Sequence, residues 1–252
     1  MASVPQPPSP TVTTASVVGR GRLGPVMARA LRQAGIEVHG PTGRGEPIAP
    51  ADVVLLCVPD AAIAGAAALI RDTGALIGHT SGATPVADAG VDFGIHPLQT
   101  FVGDEQPDVF HGIGFGIAGR TPSALETARE LADRLGGRAL PIADDQRAAY
   151  HAAASIASNY VVTVLAAAEQ VAASAGLDAA LARGLLAPLV RRTVDNWATL
   201  GPDAALTGPV VRGDAATVAR QRDAVASGAP GLLPLFDALT ASTASLAEGR
   251  RA

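Results

Sequence analysis

The chain of 252 residues contains no lysine; all 19 of its basic residues are arginine. No lysine amine is therefore present to serve as general acid or base, or to form a Schiff base. There is a single cysteine, Cys57. One thiol excludes an intramolecular disulfide and fits a reducing cytoplasm. Cys57 lies in a strongly apolar run, which predicts a buried and inert thiol. Aromatic residues are scarce at 3%, although apolar residues make up 48%, so the core must rest mostly on Ala, Val, Leu and Ile. A basic surplus is also lacking. The net charge of −4 argues against a dedicated nucleic-acid partner. No stretch reads as long and pure enough to span a membrane, so no membrane partner is expected. Residues 1–13 carry four prolines and lack the basic and apolar regions of a signal peptide. They predict a disordered leader.

What is present centres on residues 15–35. Val17-Val18 leads into Gly19-Arg20-Gly21-Arg22-Leu23-Gly24, and a helical pattern with Leu23, Met27, Ala30 and Leu31 on one face follows. Gly35 stands where a helix C-cap belongs. Strand, glycine turn and helix in this order are the context a dinucleotide fingerprint requires. Gly19 would make the tight turn, Gly21 would admit a pyrophosphate, and Gly24 would let helix pack close on strand. Free N–H groups at the helix start would face the anion. A tight turn that binds nothing is the alternative.

The rest of the first half alternates strands and helices. Ile36–His39 reads as a second strand, followed by a loop over residues 40–45 and a crossover too short for a helix. Residues 52–58 form a continuous apolar run ended by Pro59, a buried central strand. Asp60 is the expected cap of a helix over 61–70. Further strands are expected at 75–79, 93–97, 113–117 and 138–142, with a helix that begins at Pro122 behind its cap Thr121. This is an α/β fold with a doubly wound parallel sheet over residues 14–143. From residue 144 no strand is evident. Arg147–Ala175 reads as one long helix, apolar nearly all round and suited to burial or to a dimer interface. Asp178 caps a second helix with Pro188 as a possible kink. A loop over 206–213, a helix capped by Asp214 and a last helix over 231–248 complete an all-helical second domain, 144–252.

Three places could carry chemistry. The end of the second strand has no carboxylate for a ribose 2′-hydroxyl, while Arg20 and Arg44 are near. That combination favours a 2′-phosphate, hence NADP(H), with an ordinary solvated loop arginine as the alternative for Arg44. His151, Ser155 and Asn159 stand at i, i+4 and i+8 and drift by only about 80°, so they share one helix face. His151 could donate a proton and Asn159 could orient a substrate oxygen; the alternative is a buried histidine and amide satisfied by backbone. His96 and Thr100 lie in a polar segment expected to open on the same cleft. Arg212 could hold a carboxylate by a bidentate fork, although Arg212-Gly213-Asp214 reads first as a loop and helix cap. His39, His79 and His111 show no metal-ligand spacing, and no metal is expected. No G-x-S-x-G elbow supports a hydrolase.

Together, the segments 17–24, 52–60, 79–83, 95–101, 150–154 with Asn159, and 206–214 resemble the Rossmann-like DUF2520 proteins. The likeness covers nearly the whole chain after residue 14. It extends to pyrroline-5-carboxylate reductase, β-hydroxyacid dehydrogenase and ketopantoate reductase. The resemblance implies an NADP-binding domain with Gly19–Gly24, Arg44, Val58 and Pro59 at the cofactor, and a helical domain like that of 6-phosphogluconate dehydrogenase. It implies reduction of a small 2-oxo acid, ketopantoate to pantoate first, by a cytoplasmic homodimer with a small carboxylate substrate. Reduction of a cyclic imine and a non-catalytic NADP-binding regulator are the alternatives. One departure stands out. Ketopantoate reductases use a lysine on the first long C-terminal helix and an Asn four residues on; here His151 and Ser155 fall at that pair, with Asn159 one turn further.

Overall fold

The computed structural model describes residues 11–249. They form two compact units, one up to Ser158 and one from Asn159. Composition changes at 143/144, but the chain leaves the first unit later. Residues 144–157 stay with the sheet because Asp144 accepts from the N–H groups of Val86 and Ala87 at 3.0 and 3.1 Å. Arg147 follows, 1% exposed, and donates to the Ser81 carbonyl at 3.1 Å.

The first unit runs β1 (Thr14–Val18), α1 (Leu23–Gln33), β2 (Glu37–Thr42), β3 (Val53–Leu56), α2 (Asp60–Ala68), β4 (Leu76–His79), α3 (Val86–Ala89), β5 (Phe93–Pro97), β6 (Gly114–Gly119), α4 (Pro122–Arg134), β7 (Arg138–Pro141) and α5 (Arg147–Ala157). Its seven strands are ordered β2-β1-β3-β4-β5-β6-β7. β1 to β5 are parallel; β6 turns antiparallel to β5, and β7 pairs parallel to β6. The sheet is therefore mixed at one edge, where a wholly parallel one was expected. The strand order reverses between β1 and β3, the switch point at which open α/β sheets bind ligands.

Alternation along the strands builds two cores. Val53 and Leu55 point to the face covered by α1 and α4, with Met27, Leu31, Phe93, Phe115 and Leu131. Val54 and Leu56 point to the opposite face, with Ile63, Ile77 and Val86. The core is mainly aliphatic as expected, yet three of the few aromatics, Phe93, Phe110 and Phe115, lie fully buried within it.

In the first unit the expected cap holds at α4 and fails at α2. Thr121 accepts from the Ala124 N–H at 3.1 Å, ahead of Pro122. Extended Pro59 occupies the cap position of α2, so Asp60 is the first helical residue and makes no cap bond. β2 continues through Pro41 and Thr42, where a loop was expected, because Thr42 still pairs with Val18. Of the expected leader, residues 1–10 lie outside the described residues. Val12 is buried and donates to Glu130 at 3.0 Å, and Thr13 donates to Asp52, so the sheet unit begins before residue 14.

The second unit holds α6 (Asn159–Ser174), α7 (Ala179–Ala205), α8 (Pro209–Arg212), α9 (Ala215–Gly228) and α10 (Leu233–Gly249). The single helix expected over 147–175 is broken at Ser158, whose φ and ψ are −121° and −74°. By length and composition alone the stretch 144–174 passes as long and apolar enough to cross a membrane, but the break divides it into helices of 11 and 16 residues, each shorter than the about 20 residues a crossing needs. Its first part is packed on the sheet unit. Asp178 caps α7 by accepting from Leu181, and Asp214 caps α9 by accepting from Thr217, both as expected. The interruption in α7 falls at Gly201 (φ 76°, ψ 171°) and not at Pro188. Glycine takes that conformation without a Cβ clash, and Pro202 restarts the helix well. The segment expected as a loop contains the short α8.

Candidate functional site

The glycine turn after β1 has the geometry its spacing predicted. Gly19 has φ +114°, and a Cβ there would lie 2.2 Å from the Cys57 carbonyl oxygen. A Cβ on Gly24 would lie 1.9 Å from the Gly19 carbonyl oxygen. Only glycine permits that contact of loop and helix. Gly21 is different: a Cβ there meets nothing within 4 Å, so its backbone faces open space. The first turn of α1 holds no acidic residue, and among the described residues no side chain caps its N–H groups. Arg22 is exposed, Leu23 is half-buried, Val58 packs beside Gly19, and Pro59 is exposed at the end of β3. The donor set and the open face of Gly21 fit the pyrophosphate of a dinucleotide. Cys57 is partly exposed; even so, desolvation pushes its thiol up to about 12, and it stays un-ionised.

The two arginines predicted for the 2′-phosphate differ. Arg44 is exposed and makes no hydrogen bond or ion pair with another described residue. Arg20 is held: its Nε donates to the Pro41 carbonyl at 3.2 Å, and its Nη2 lies 2.7 Å from Glu46 Oε2. The sequence places no carboxylate at the end of β2, but the tertiary structure brings one there from the following loop.

A second cluster sits at the C-terminal ends of β4 and β5. His96 Nδ1 lies 2.8 Å from the Tyr150 hydroxyl, and the His96 and His151 rings meet edge-on with centroids 5.7 Å apart. A Cβ on Gly82 would stand 2.5 Å from His151 Nδ1 and 2.9 Å from His96 Nε2, so both rings close on this bare backbone. His151 Nδ1 is buried and has no hydrogen-bond partner among the described residues. Desolvation, aided by His151 and Arg147, lowers His96 to about 4, and it is neutral at pH 7. Desolvation also raises Tyr150 above the usual phenol value, so its hydroxyl keeps the proton. Tyr150 therefore donates to Nδ1 and leaves His96 with an Nε2–H, a tautomer inferred from the hydrogen bond. Below them His79, fully buried, accepts from Ser81 N–H through Nδ1 at 3.1 Å. Desolvation first, then the Arg147 charge, hold His79 at about 4.

His151 and His96 are thus brought together as the sequence suggested. Ser155 follows one turn later on α5 and is half-buried. The break at Ser158 ends the shared-face argument there. Asn159 opens α6 in the second unit, and Arg212 ends α8 in that unit, exposed. Thr100 is exposed, its N–H donating to Gln99 Oε1. Within the single chain only Arg147 is buried in α5 and no residue in α6, so of the two expectations for this apolar helix, burial in its own domain fails and the dimer interface is left. The sequence reading missed Tyr150, Arg147 and Gly82. Arg147, Tyr150 and His151 at i, i+3 and i+4 were a legible signal of one helix face. Gly94 and Gly116, where Cβ atoms would stand 2.5 Å from Arg147 Nη2 and 2.7 Å from the Tyr150 hydroxyl, make room for that face on the sheet.

A family model described as a domain of unknown function, DUF2520, matches residues 113–243. No curated protein matches the chain significantly. Among solved structures, a protein from Thermotoga maritima aligns at TM-score 0.77 with 24% identity, over 94% of this chain and 100% of the other. A candidate NADP oxidoreductase from Bacteroides fragilis aligns at TM-score 0.75 with 22% identity, over 93% and 99%. The Plasmodium falciparum pyrroline carboxylate reductase, with NADP bound, aligns at TM-score 0.61 with 11% identity, over 93% and 98%. These likenesses establish the shared α/β fold with its helical C-terminal part.

Proposed function

The chain belongs to the DUF2520 family, and on that premise we propose that it is an NADP-dependent reductase of a small carboxylate bearing a C=O or C=N bond. One observation carries the reading. The glycine cradle and the imidazole cluster lie along the same edge of one sheet, the C-terminal ends of β1, β3, β4 and β5. Ligands of open α/β sheets bind there. The NADP named with two of the structural relatives supports the cofactor assignment.

Gly19 to Gly24 would hold the pyrophosphate against the free amides of α1, and Arg20 and Arg44 would face the 2′-phosphate. Val58 and Pro59 would line the nicotinamide end. When bound, the cofactor supplies a hydride. The chain supplies the proton that the reduced oxygen or nitrogen needs. With no lysine available, His151 takes that role; its Nδ1 has no hydrogen-bond partner among the described residues. Neutral His96 offers its Nε2–H as a hydrogen-bond donor to the substrate, and Tyr150 fixes its tautomer. Ser155 and Thr100 are the further substrate contacts. For Asn159 and Arg212 the assignment rests on the sequence pattern alone. A homodimer through the second unit and a cytoplasmic location belong to the same proposal.

Ketopantoate is the leading substrate, because the departures from ketopantoate reductase keep a proton donor at the expected place. The cyclic-imine reading is favoured by the full-length likeness to pyrroline carboxylate reductase. Purified protein with NADPH and a panel of 2-oxo acids and cyclic imines decides between them. NADPH oxidation with ketopantoate, and rescue of a pantoate auxotroph, is the expected result. Turnover with imines alone selects the second reading. Tight NADPH binding with no turnover of any member overturns both and leaves a regulatory protein.

A further inference from the structure

The loop after β2 folds back on the glycine turn. The Glu46 N–H donates to the Gly43 carbonyl at 3.3 Å, and the Gly43 N–H donates to Glu46 Oε2 at 3.0 Å. The same Oε2 lies 2.7 Å from Arg20 Nη2. One carboxylate oxygen thus joins a backbone amide at the end of β2 to the arginine inside the glycine turn. In dinucleotide folds this is where the adenosine ribose and its 2′-substituent lie. A 2′-phosphate seeks the same donors, an arginine fork and free amides. Both groups of the Arg20–Glu46 pair are substantially exposed, 60% and 39%, so the pair is easily exchanged.

We propose that Glu46 is an internal anion occupying the 2′-phosphate seat, which NADP(H) must displace from Arg20, so that Glu46 sets the ratio of NADPH to NADH affinity. The inference rests on the NADP reading above. Displacement explains how a single loop serves Arg20 in both states. Without phosphate, Glu46 neutralises the arginine. With phosphate, Arg20 exchanges one anion for another and the Glu46 carboxylate swings away, since two anions on one guanidinium repel. Arg44, unpaired, adds to the phosphate without competition.

Glu46→Gln tests this with little disturbance, because the amide oxygen still accepts from Gly43 while the charge is gone. Kd values for NADPH, NADH, 2′,5′-ADP and 5′-AMP are measured by calorimetry on the parent and the variant. NADPH and 2′,5′-ADP should bind about three- to tenfold tighter to the variant, the scale of an exposed ion pair. NADH and 5′-AMP should change less than about twofold, below the scale of one exposed pair. In an Arg20→Ala background the gain should vanish. If the parent binds NADPH and the variant binds it no tighter, the inference falls and the cofactor reading stands. The inference also falls if the gain survives in Arg20→Ala, since Glu46 would then act only through net charge. A marked loss of NADH affinity in Glu46→Gln would make Glu46 a ribose-hydroxyl acceptor and overturn it as well. If neither protein binds NADPH, the cofactor reading itself fails.

Discussion

At the scale of single residues, the chemistry converges on imidazoles because the chain has no lysine. His151→Ala should lower kcat by about 10²–10⁴, the usual contribution of a positioned acid, with NADPH affinity unchanged. Single-turnover hydride transfer checks this; retention of more than about a third of the parent rate, far from the loss a missing acid causes, removes His151 from the role. Tyr150→Phe removes one hydrogen bond, on the order of tenfold in rate if His96 must be held in one tautomer. Its signature is a changed pH–rate profile with NADPH binding unaltered. Arg44→Ala should weaken NADPH by about ten- to hundredfold against NADH, the worth of one charge-assisted bond. Fluorescence titration measures both affinities, and equal parent affinities would contradict the 2′-phosphate assignment.

Two imidazoles set a pH dependence. His79 and His96 are held at about 4 against an ordinary 6.5. The unfolded chain therefore binds protons below pH 6.5 that the folded chain refuses until about 4. Stability from these groups is fully present above pH 6.5 and is lost as the pH falls toward 4. Urea midpoints should drop across that window, and the ring resonances of both histidines should keep their neutral positions at pH 5. Imidazoles that titrate near 6.5 in the folded protein would contradict this.

At the scale of elements, glycine decides where the backbone can go. Gly24→Ala would press a methyl group onto the Gly19 carbonyl, 1.9 Å from the ideal Cβ. The turn and α1 must then separate, and both stability and NADPH binding should fall, read by thermal unfolding and titration. Gly21→Ala is the control. Its Cβ meets no protein atom, so it should unfold within about 1 kcal/mol of the parent, the ordinary cost of a mild substitution, while weakening the dinucleotide. The caps at Thr121, Asp178 and Asp214 were legible because a short polar side chain ahead of a helical run satisfies amides locally. The break at Ser158 was not. Residues 147–174 carry one unbroken helical composition, and nothing local marks where the chain passes from one unit to the other.

At the scale of the whole molecule, the second unit leaves much apolar surface uncovered. Leu181, Leu185 and Leu189 on α7 are 49%, 59% and 62% exposed, and Trp197 is 58% exposed. A patch of that kind marks an interaction surface. Light scattering should show a dimer at micromolar concentration, and the Leu185→Glu, Leu189→Glu double variant should be a monomer. A monomeric parent would overturn the dimer.

Patterns of short range were enough for the sequence to determine the sheet unit, the glycine cradle and most helix caps. Alternation, glycine spacing and capping depend on neighbours within a few residues, so they are written along the chain. Tertiary structure alone decided the rest. It turned β6 antiparallel, set Tyr150 against His96 across 54 residues, buried Arg147 beneath Ser81, and brought Glu46 onto Arg20. Each of these is a contact between residues or strands far apart in sequence. Their partners are chosen by packing and charge in three dimensions, which no local pattern encodes.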